Sequence, residues 1–239
     1  VAKPASSGAT TSPELVEAVI EYLYSKGLRT VYIMESSVVG IDTMRAFAAC
    51  GYDKVAQRTG AELVDLKRTE TADVSVDGYR MTVFRKVLEV DYLINMPVLK
   101  AHCQTLMTCA LKNLKGCIPD SEKRRFHRLG LHEPIARLNR AIKSHFVIVD
   151  ALCGDLTFEE GGSPVRMDRI VACEDPVAVD AYCARLIGLD PQSVEYIGQA
   201  ERYGVGRAEP VTVIESGEPA GSLELQKPSG LVARLTRNV

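Results

Sequence analysis

Apolar residues recur at helical spacing from Leu15 through Val16, Val19, Ile20 and Leu23, directly after Ser12-Pro13-Glu14 and before Gly27. That pattern predicts a helix with a serine N-cap, a proline in its first turn and a glycine stop. The run "TVYIMES" predicts a buried strand ending at Glu35, residues 42–50 and 52–59 read as short helices closed by Gly51 and Gly60, and "AELVDL" reads as a second strand. In "DVSVDGYRMTVF" the apolar and polar positions alternate on both sides of Asp77-Gly78, the pattern of a tight antiparallel hairpin. "DYLINM", "FVIVDAL" and "RIVACE" are further predicted strands, the last two separated by "EEGGSPVR", with a charged loop and a helix over 133–142 ahead of "FVIVDAL". Asp175-Pro176 caps the helix "VAVDAYCARLIG", Asp190-Pro191 starts another, and "VTVIES" predicts a last strand, beyond which the residues from about 217 read as a poorly structured tail. Strands alternating with helices imply an α/β fold: a mostly parallel sheet with helices on both faces and one antiparallel hairpin excursion at 74–84. With no fixed-period repeat and no low-complexity linker, residues 1–239 are expected to form one domain.

Composition narrows the function classes. The 29 basic and 31 acidic residues nearly cancel, which argues against nucleic acid or an anionic membrane surface as a general partner, since both reward a clear positive excess. Tryptophan is absent and aromatic residues are sparse, so stacking platforms for single strands are missing as well. No apolar run reaches the length of a membrane helix, and the reading is of a cytoplasmic chain. Seven cysteines, an odd number without a CxxC pair, suit reduced thiols in a reducing compartment better than a disulfide framework.

The stretch "LKAHCQTLMTCALKNLKGC", Leu99 to Cys117, concentrates the candidate chemistry. On a helical wheel Cys103, Leu106, Met107, Ala110, Leu111, Leu114 and Cys117 share one arc, and Thr105, Thr108, Cys109, Lys112 and Asn113 the other. Two of its three cysteines thus fall on the core side, and gaps of five and seven residues differ from the close spacing of cluster ligands, which argues against an iron–sulfur cluster held by this chain. Lys100, Lys112 and Lys115, with Lys123, Arg124 and Arg125 after them, suit the oxygens of a small anionic ligand, which Thr105 and Asn113 would also face. All four histidines lie between 102 and 145; His102 is the candidate proton carrier, and His102 with His127 the candidate metal ligands. Glu35, Asp150, Glu174 and Asp175 each stand at or after a predicted strand end and are expected at one edge of the sheet. Asp180 lies in a helix that is apolar nearly all round, where an unpaired carboxylate is costly; a buried donor such as a helix terminus, a lysine or a ligand is expected beside it.

Read together, "INMPVLKAHCQTLMTCALKNLKGC", "EEGGSP" and "CEDPVAVDAYCARLIGLDP" resemble the domain of unknown function 362 family, over about residues 10–206. The most specific part is Lys100-x-His102 followed by Leu111-Lys112-Asn113-x-x-Gly116, and Asp150, Gly161, Gly162, Pro164, Asp175, Pro176 and Asp180 also match. The family is often described as iron–sulfur-associated, but the ferredoxin-like segment of some members is missing here, so that label does not transfer to this chain. The resemblance supplies no established reaction. The expected function is an enzyme-like pocket for a small anionic ligand at the carboxyl edge of the sheet. In it Lys100, Lys112, Lys115, Gly161, Gly162 and Asp175 would bind, His102 would exchange a proton, and Asp150 or Asp180 would orient or balance the charges. A redox reaction with an electron-transfer or iron–sulfur partner protein is the variant the resemblance implies. The rivals are a non-catalytic module docking through the basic loop Ser121 to Arg128, and a metalloprotein built on His102, His127 and an acid.

Overall fold

A computed structural model describes residues 2–157, 159–209 and 212–217. Ser12 Oγ accepts the amide of Leu15 and Pro13 occupies the first turn, so helix α1 (Pro13–Ser25) starts where the sequence predicts. Strand β1 (Tyr32–Glu35) follows, then α2 (Thr43–Cys50) and α3 (Tyr52–Thr59), separated by Gly51 at φ 87°, and β2 (Glu62–Asp65), which pairs with β1 in parallel register from Tyr32↔Glu62 to Glu35↔Asp65. Strands β3 (Thr71–Val76) and β4 (Tyr79–Phe84) form the hairpin expected from Asp77-Gly78, both of which take positive φ, 49° and 78°.

The chain continues through the one-turn helix α4 (Lys86–Glu89) and the short β5 (Ile94–Asn95) into strands β6 (Lys100–His102) and β7 (Leu106–Thr108), followed by the single turn α5 (Ala110–Asn113). Helices α6 (Asp120–Arg128) and α7 (His132–Ala141) lead to β8 (Phe146–Asp155) and β9 (Pro164–Cys173), and α8 (Pro176–Leu186) and α9 (Glu195–Arg202) close the described chain. No helix among the described residues is long and apolar enough to cross a membrane.

The class is α/β, but the sheets are small and mixed rather than mostly parallel. Among the described residues β5–β8–β9 is a three-stranded sheet, and β1–β2, β3–β4 and β6–β7 are two-stranded. β5 runs parallel to β8, whereas β8 and β9 pair antiparallel from Val147↔Cys173 to Asp155↔Pro164. The reason is loop length: residues 156–163 are too few for the crossover of a dozen or more residues that parallel neighbours need. Asp155 closes that connection by accepting from the Thr157 amide and hydroxyl and from the Ser163 amide.

Three further expectations change. The "basic loop" Ser121 to Arg128 is part of helix α6. The strand expected from "VTVIES" is not formed: residues 212–216 carry no strand and Ile214 is 87% exposed, while Val211 and the tail beyond Gly217 lie outside the described residues. Leu99 to Cys117 is not one helix but a hairpin followed by a helical turn.

Two apolar cores organise the chain. The larger gathers Val147, Val149 and Ala151 of β8 with Ile135 and Leu138 of α7, Val177 and Ala181 of α8, and Leu111 of α5. The smaller packs Val16 and Ile20 of α1 against Phe47 and Val55 of α2 and α3. Buried carboxylates join the pieces. Asp150, in mid-strand rather than at a strand end, accepts the amides of Ser12 (2.6 Å) and Leu152 (3.0 Å), which pins the start of α1 to β8. Asp180 accepts the amides of Ala110 (2.7 Å) and Leu111 (3.2 Å), the first of α5, and meets the expectation of a buried helix terminus as its partner. Burial outweighs those hydrogen bonds and pushes the Asp180 carboxyl up to about 7.

Asp180→Ala, which leaves two buried amides without acceptors, is expected to lower the free energy of unfolding by about 3 kcal/mol in urea titrations, and Asp175→Ala, an N-cap loss, by about 1 kcal/mol. Because the folded pKa of Asp180 lies above the ordinary 3.8, its contribution to stability is complete below that value and declines as pH rises through about 7; Asp180→Asn flattens this pH dependence. Equal losses in the two alanine variants would contradict the assignment.

Candidate functional site

The hairpin β6–β7 is the first part of the site. His102 Nδ1 accepts the amides of Gln104 (3.0 Å) and Thr105 (3.4 Å), which turns the chain at Cys103–Thr105 and stops a helix from forming there. Leu106 just beyond has φ 64°, a left-handed backbone that no helix tolerates. The turn reverses two wheel assignments. Cys103 is partly exposed and bonds Glu159, with Sγ 3.1 Å from Oε1, while Cys109 is fully buried in the core with Cys183 and Asp180 around it.

Since Nδ1 accepts two backbone N–H bonds, the proton of neutral His102 sits on Nε2, which faces Glu159 Oε1 at 3.7 Å. Burial, reinforced by Lys112, Lys115 and Lys100, holds the pKa of His102 down to about 2, so the ring stays neutral and presents an N–H donor.

Three lysines surround it. Lys100 is buried at the start of β6, and its ammonium donates to the carbonyls of Ala9 and Glu159, each at 2.8 Å, clamping the amino-terminal segment to the 156–163 connection. Lys112 projects from α5 and is buried, yet its only hydrogen-bond partner among the described residues is Thr108 Oγ1 at 3.1 Å. Lys115, one turn on, reaches His127 Nε2 at 3.1 Å, and His127 Nδ1 in turn lies 2.9 Å from Gln104 Oε1. Burial lowers the pKa of Lys100 and Lys115 to about 8 each; that of Lys112 is lowered well below the usual value by burial and then by the charges of Lys115 and Lys100. An ammonium carries three donors, so Lys112 is short of acceptors where it sits.

Glu159 supplies the counter-charge. Its carboxylate accepts the Cys103 amide through Oε2 (3.2 Å) and the Cys103 thiol through Oε1. Sequence reasoning did not single it out, because nothing in "FEEGGSP" distinguishes one glutamate from the next; only the antiparallel β8–β9 connection brings it to β6.

Not every predicted residue joins this group. Antiparallel β9 carries Cys173 to the amino end of β8, so Glu174 and Asp175 do not share an edge with Lys100, and Asp175 instead caps α8 through the amides of Val177 and Ala178 and accepts that of Arg207. Asp150 and Asp180 spend their carboxylates on the backbone amides described above. Thr105 is buried with its hydroxyl on Met107 O, and Asn113 donates to Asn95 Oδ1. Gly161 and Gly162 lie in the connection that carries Glu159; Gly161 takes φ 77°, and a Cβ there would meet Ser7 O at 2.6 Å. Glu35 is half-buried at the end of β1 against Gly116, with its Oε1 accepting the Ser36 amide.

Among the described residues, one group of histidine, cysteine and acidic side chains is close enough to hold a metal ion: His102, Cys103 and Glu159, with ligand-type atoms within 4.8 Å of one another; His127 is not part of it. The donor set fits poorly. His102 Nδ1 is engaged by two amides, so Nε2 would have to give up its only proton to ligate.

The fold is α/β, and Lys100, Lys112 and Lys115 act on the buried ring of His102 beside Glu159. The chain belongs to the DUF362 family, a domain of unknown function, whose model matches residues 1–185. It is similar to a thylakoid-associated protein of Synechocystis sp., 27% identical over 209 residues. The match takes in 82% of this chain and 62% of that relative, so the chain spans less than two thirds of the relative's length.

Lys115 titrates near 8, below the 10.5 of a free lysine, so without an anion its contribution to stability increases with pH between those two values. Side-chain NMR of Lys115 is expected to show its midpoint near 8 in chloride and a rise toward 10.5 on adding phosphate; an unchanged midpoint would mean that phosphate does not bind beside Lys115.

Proposed function

We propose that the cluster of Lys100, His102, Lys112 and Lys115, between β6, α5 and the 156–163 connection, binds a small dianion, a phosphoryl or dicarboxylate group, as the anchoring half of an enzyme-like site. The observation that carries this reading is the under-satisfied ammonium of Lys112, buried beside Lys115 and Lys100, with Glu159 the carboxylate that acts on it. With Lys112 and Lys115 protonated, Glu159 offsets only part of their charge, and an anionic group would supply the rest. In this reading Lys112 and Lys115 hold oxygens as charged donors, His102 adds its Nε2–H as a neutral donor, and Lys100 positions the two segments that wall the site. Asp150 and Asp180 act as positioning residues, holding α1 and α5. Cys103, hydrogen-bonded to Glu159, takes the proton-exchange role in this reading, in place of the histidine suggested by the sequence. Unbridged cysteines agree with a reducing, cytoplasmic setting.

Docking through the basic segment draws less support. Lys123 is buried on the carbonyls of Ser36 and Ser37, and Arg125 is tied to Glu122 and the Arg80 carbonyl. A metal at His102, Cys103 and Glu159 conflicts with the tautomer of His102.

Thermal denaturation at constant ionic strength tests the proposal. Phosphate or succinate at a hundred times its Kd is expected to raise Tm by about 5–10 °C, acetate and chloride by far less, and Lys112→Met is expected to weaken the dianion response at least tenfold while leaving the fold intact. A dianion response that survives both Lys112→Met and Lys115→Met, or none in the parent chain, would overturn it.

A further inference from the structure

The three lysines of the cluster differ in what their partners demand of them. Lys100 donates to the carbonyls of Ala9 and Glu159, which can only accept and so favour the ammonium. Lys115 lies against an imidazole nitrogen, His127 Nε2. The partner of Lys112 is a hydroxyl, Thr108 Oγ1 at 3.1 Å, which accepts from an ammonium and can equally donate to the lone pair of a neutral amine. Glu159, the carboxylate that acts on Lys112, pairs instead with His102 at 3.7 Å. Lys112 is therefore placed to exist in either protonation state without losing its partner.

Its surroundings favour the amine. Lys112 is only 6% exposed, and burial, followed by the charges of Lys115 and Lys100, disfavours the ammonium. An ordinary lysine, with a pKa of about 10.4, has roughly one neutral amine in 2,500 at pH 7. Desolvation beside another cation is the way a lysine becomes a nucleophile at that pH. The nitrogen is also within reach of solvent-borne molecules. Cys103 and Lys115, which act on it, are half-buried, and His127, on which it acts, is exposed, so the cluster borders solvent on that side.

We propose that Lys112, held on Thr108 between Lys100 and Lys115, forms a Schiff base, and that the anion bound beside it carries a carbonyl group, as an oxo acid or a phosphorylated aldehyde does. This rests on the anion-binding reading and names its substrate class. The amine nitrogen of Lys112 adds to the carbonyl carbon, a C–N bond forms, and one N–H proton passes to the carbonyl oxygen. The hydroxyl so made leaves as water with a second proton, supplied by the Cys103 thiol in the proton-exchange role given to it above, while the nitrogen lone pair closes the C=N bond. Water is the only by-product and no electrons are exchanged. The iminium restores on the same nitrogen a positive charge facing the anion, and it draws electrons from the adjacent carbon.

Reductive trapping tests this. The 239-residue chain is incubated near neutral pH with sodium cyanoborohydride, which reduces an iminium to a stable secondary amine, and with 2-oxoglutarate in one arm and glycolaldehyde phosphate in the other. Peptide mass spectrometry of the parent chain then locates the adduct without relying on any variant. In at least one arm Lys112 is expected to be labelled at least tenfold faster than Lys54, an exposed lysine of α3. Succinate or inorganic phosphate, which carry the charge without the carbonyl, should suppress that labelling, and Lys112→Met should abolish it. If succinate or phosphate stabilises the chain but both carbonyl probes label Lys112 no faster than Lys54, or label Lys100 or Lys115 instead, the Schiff base is overturned and the anion site stands. If neither anion stabilises the chain and neither probe labels Lys112, the site and this inference fall together.

Discussion

Asp180 holding the first amides of α5 is the contact on which the site depends. It sits on α8, in the interior, and grips a single helical turn that follows a tight hairpin. One isolated turn has little stability of its own, because nucleation fixes several residues for each hydrogen bond gained. Held at its start by a buried carboxylate and packed through Leu111, that turn becomes a fixed platform, and Lys112 projects from it toward Thr108. The raised pKa of Asp180 is the cost of placing an acid there, and the ordered position of the lysine is what it secures.

From that platform the chemistry follows by donor counting. The Lys100 ammonium has two carbonyls, Lys115 has an imidazole, His102 has turned its acceptor nitrogen toward the backbone, and Lys112 has one hydroxyl. Donors outnumber acceptors around the buried Lys112 and His102, and the proposed anion would satisfy that excess. Glu159 tempers the excess without cancelling it. A resident cation would meet three ammoniums and a donor N–H in the same space.

Much of this was legible beforehand. Local rules placed α1 from Ser12-Pro13, the Asp77-Gly78 hairpin and the Asp175 cap, because each rests on a few adjacent residues whose backbone chemistry is decisive. Lys100, Lys112 and Lys115 do act on His102, and Asp180 did find a helix terminus. What periodicity missed were contacts made at a distance. The helical wheel over 99–117 failed because two amides fold back onto His102, a bond invisible to spacing. The shared edge for Glu174 and Asp175 failed because β9 returns antiparallel through a connection too short for a helix, and the same return brings in the unremarked Glu159.

The most direct measurement is the anomalous diffraction of crystals soaked in selenate, a tetrahedral dianion with no role for the protein backbone to imitate. The account predicts a selenium peak within hydrogen-bonding reach of Lys112 Nζ, Lys115 Nζ and His102 Nε2, lost in crystals of Lys112→Met. A lysine cluster that stays free of selenium while other surface sites fill, or a peak indifferent to Lys112→Met, would contradict it.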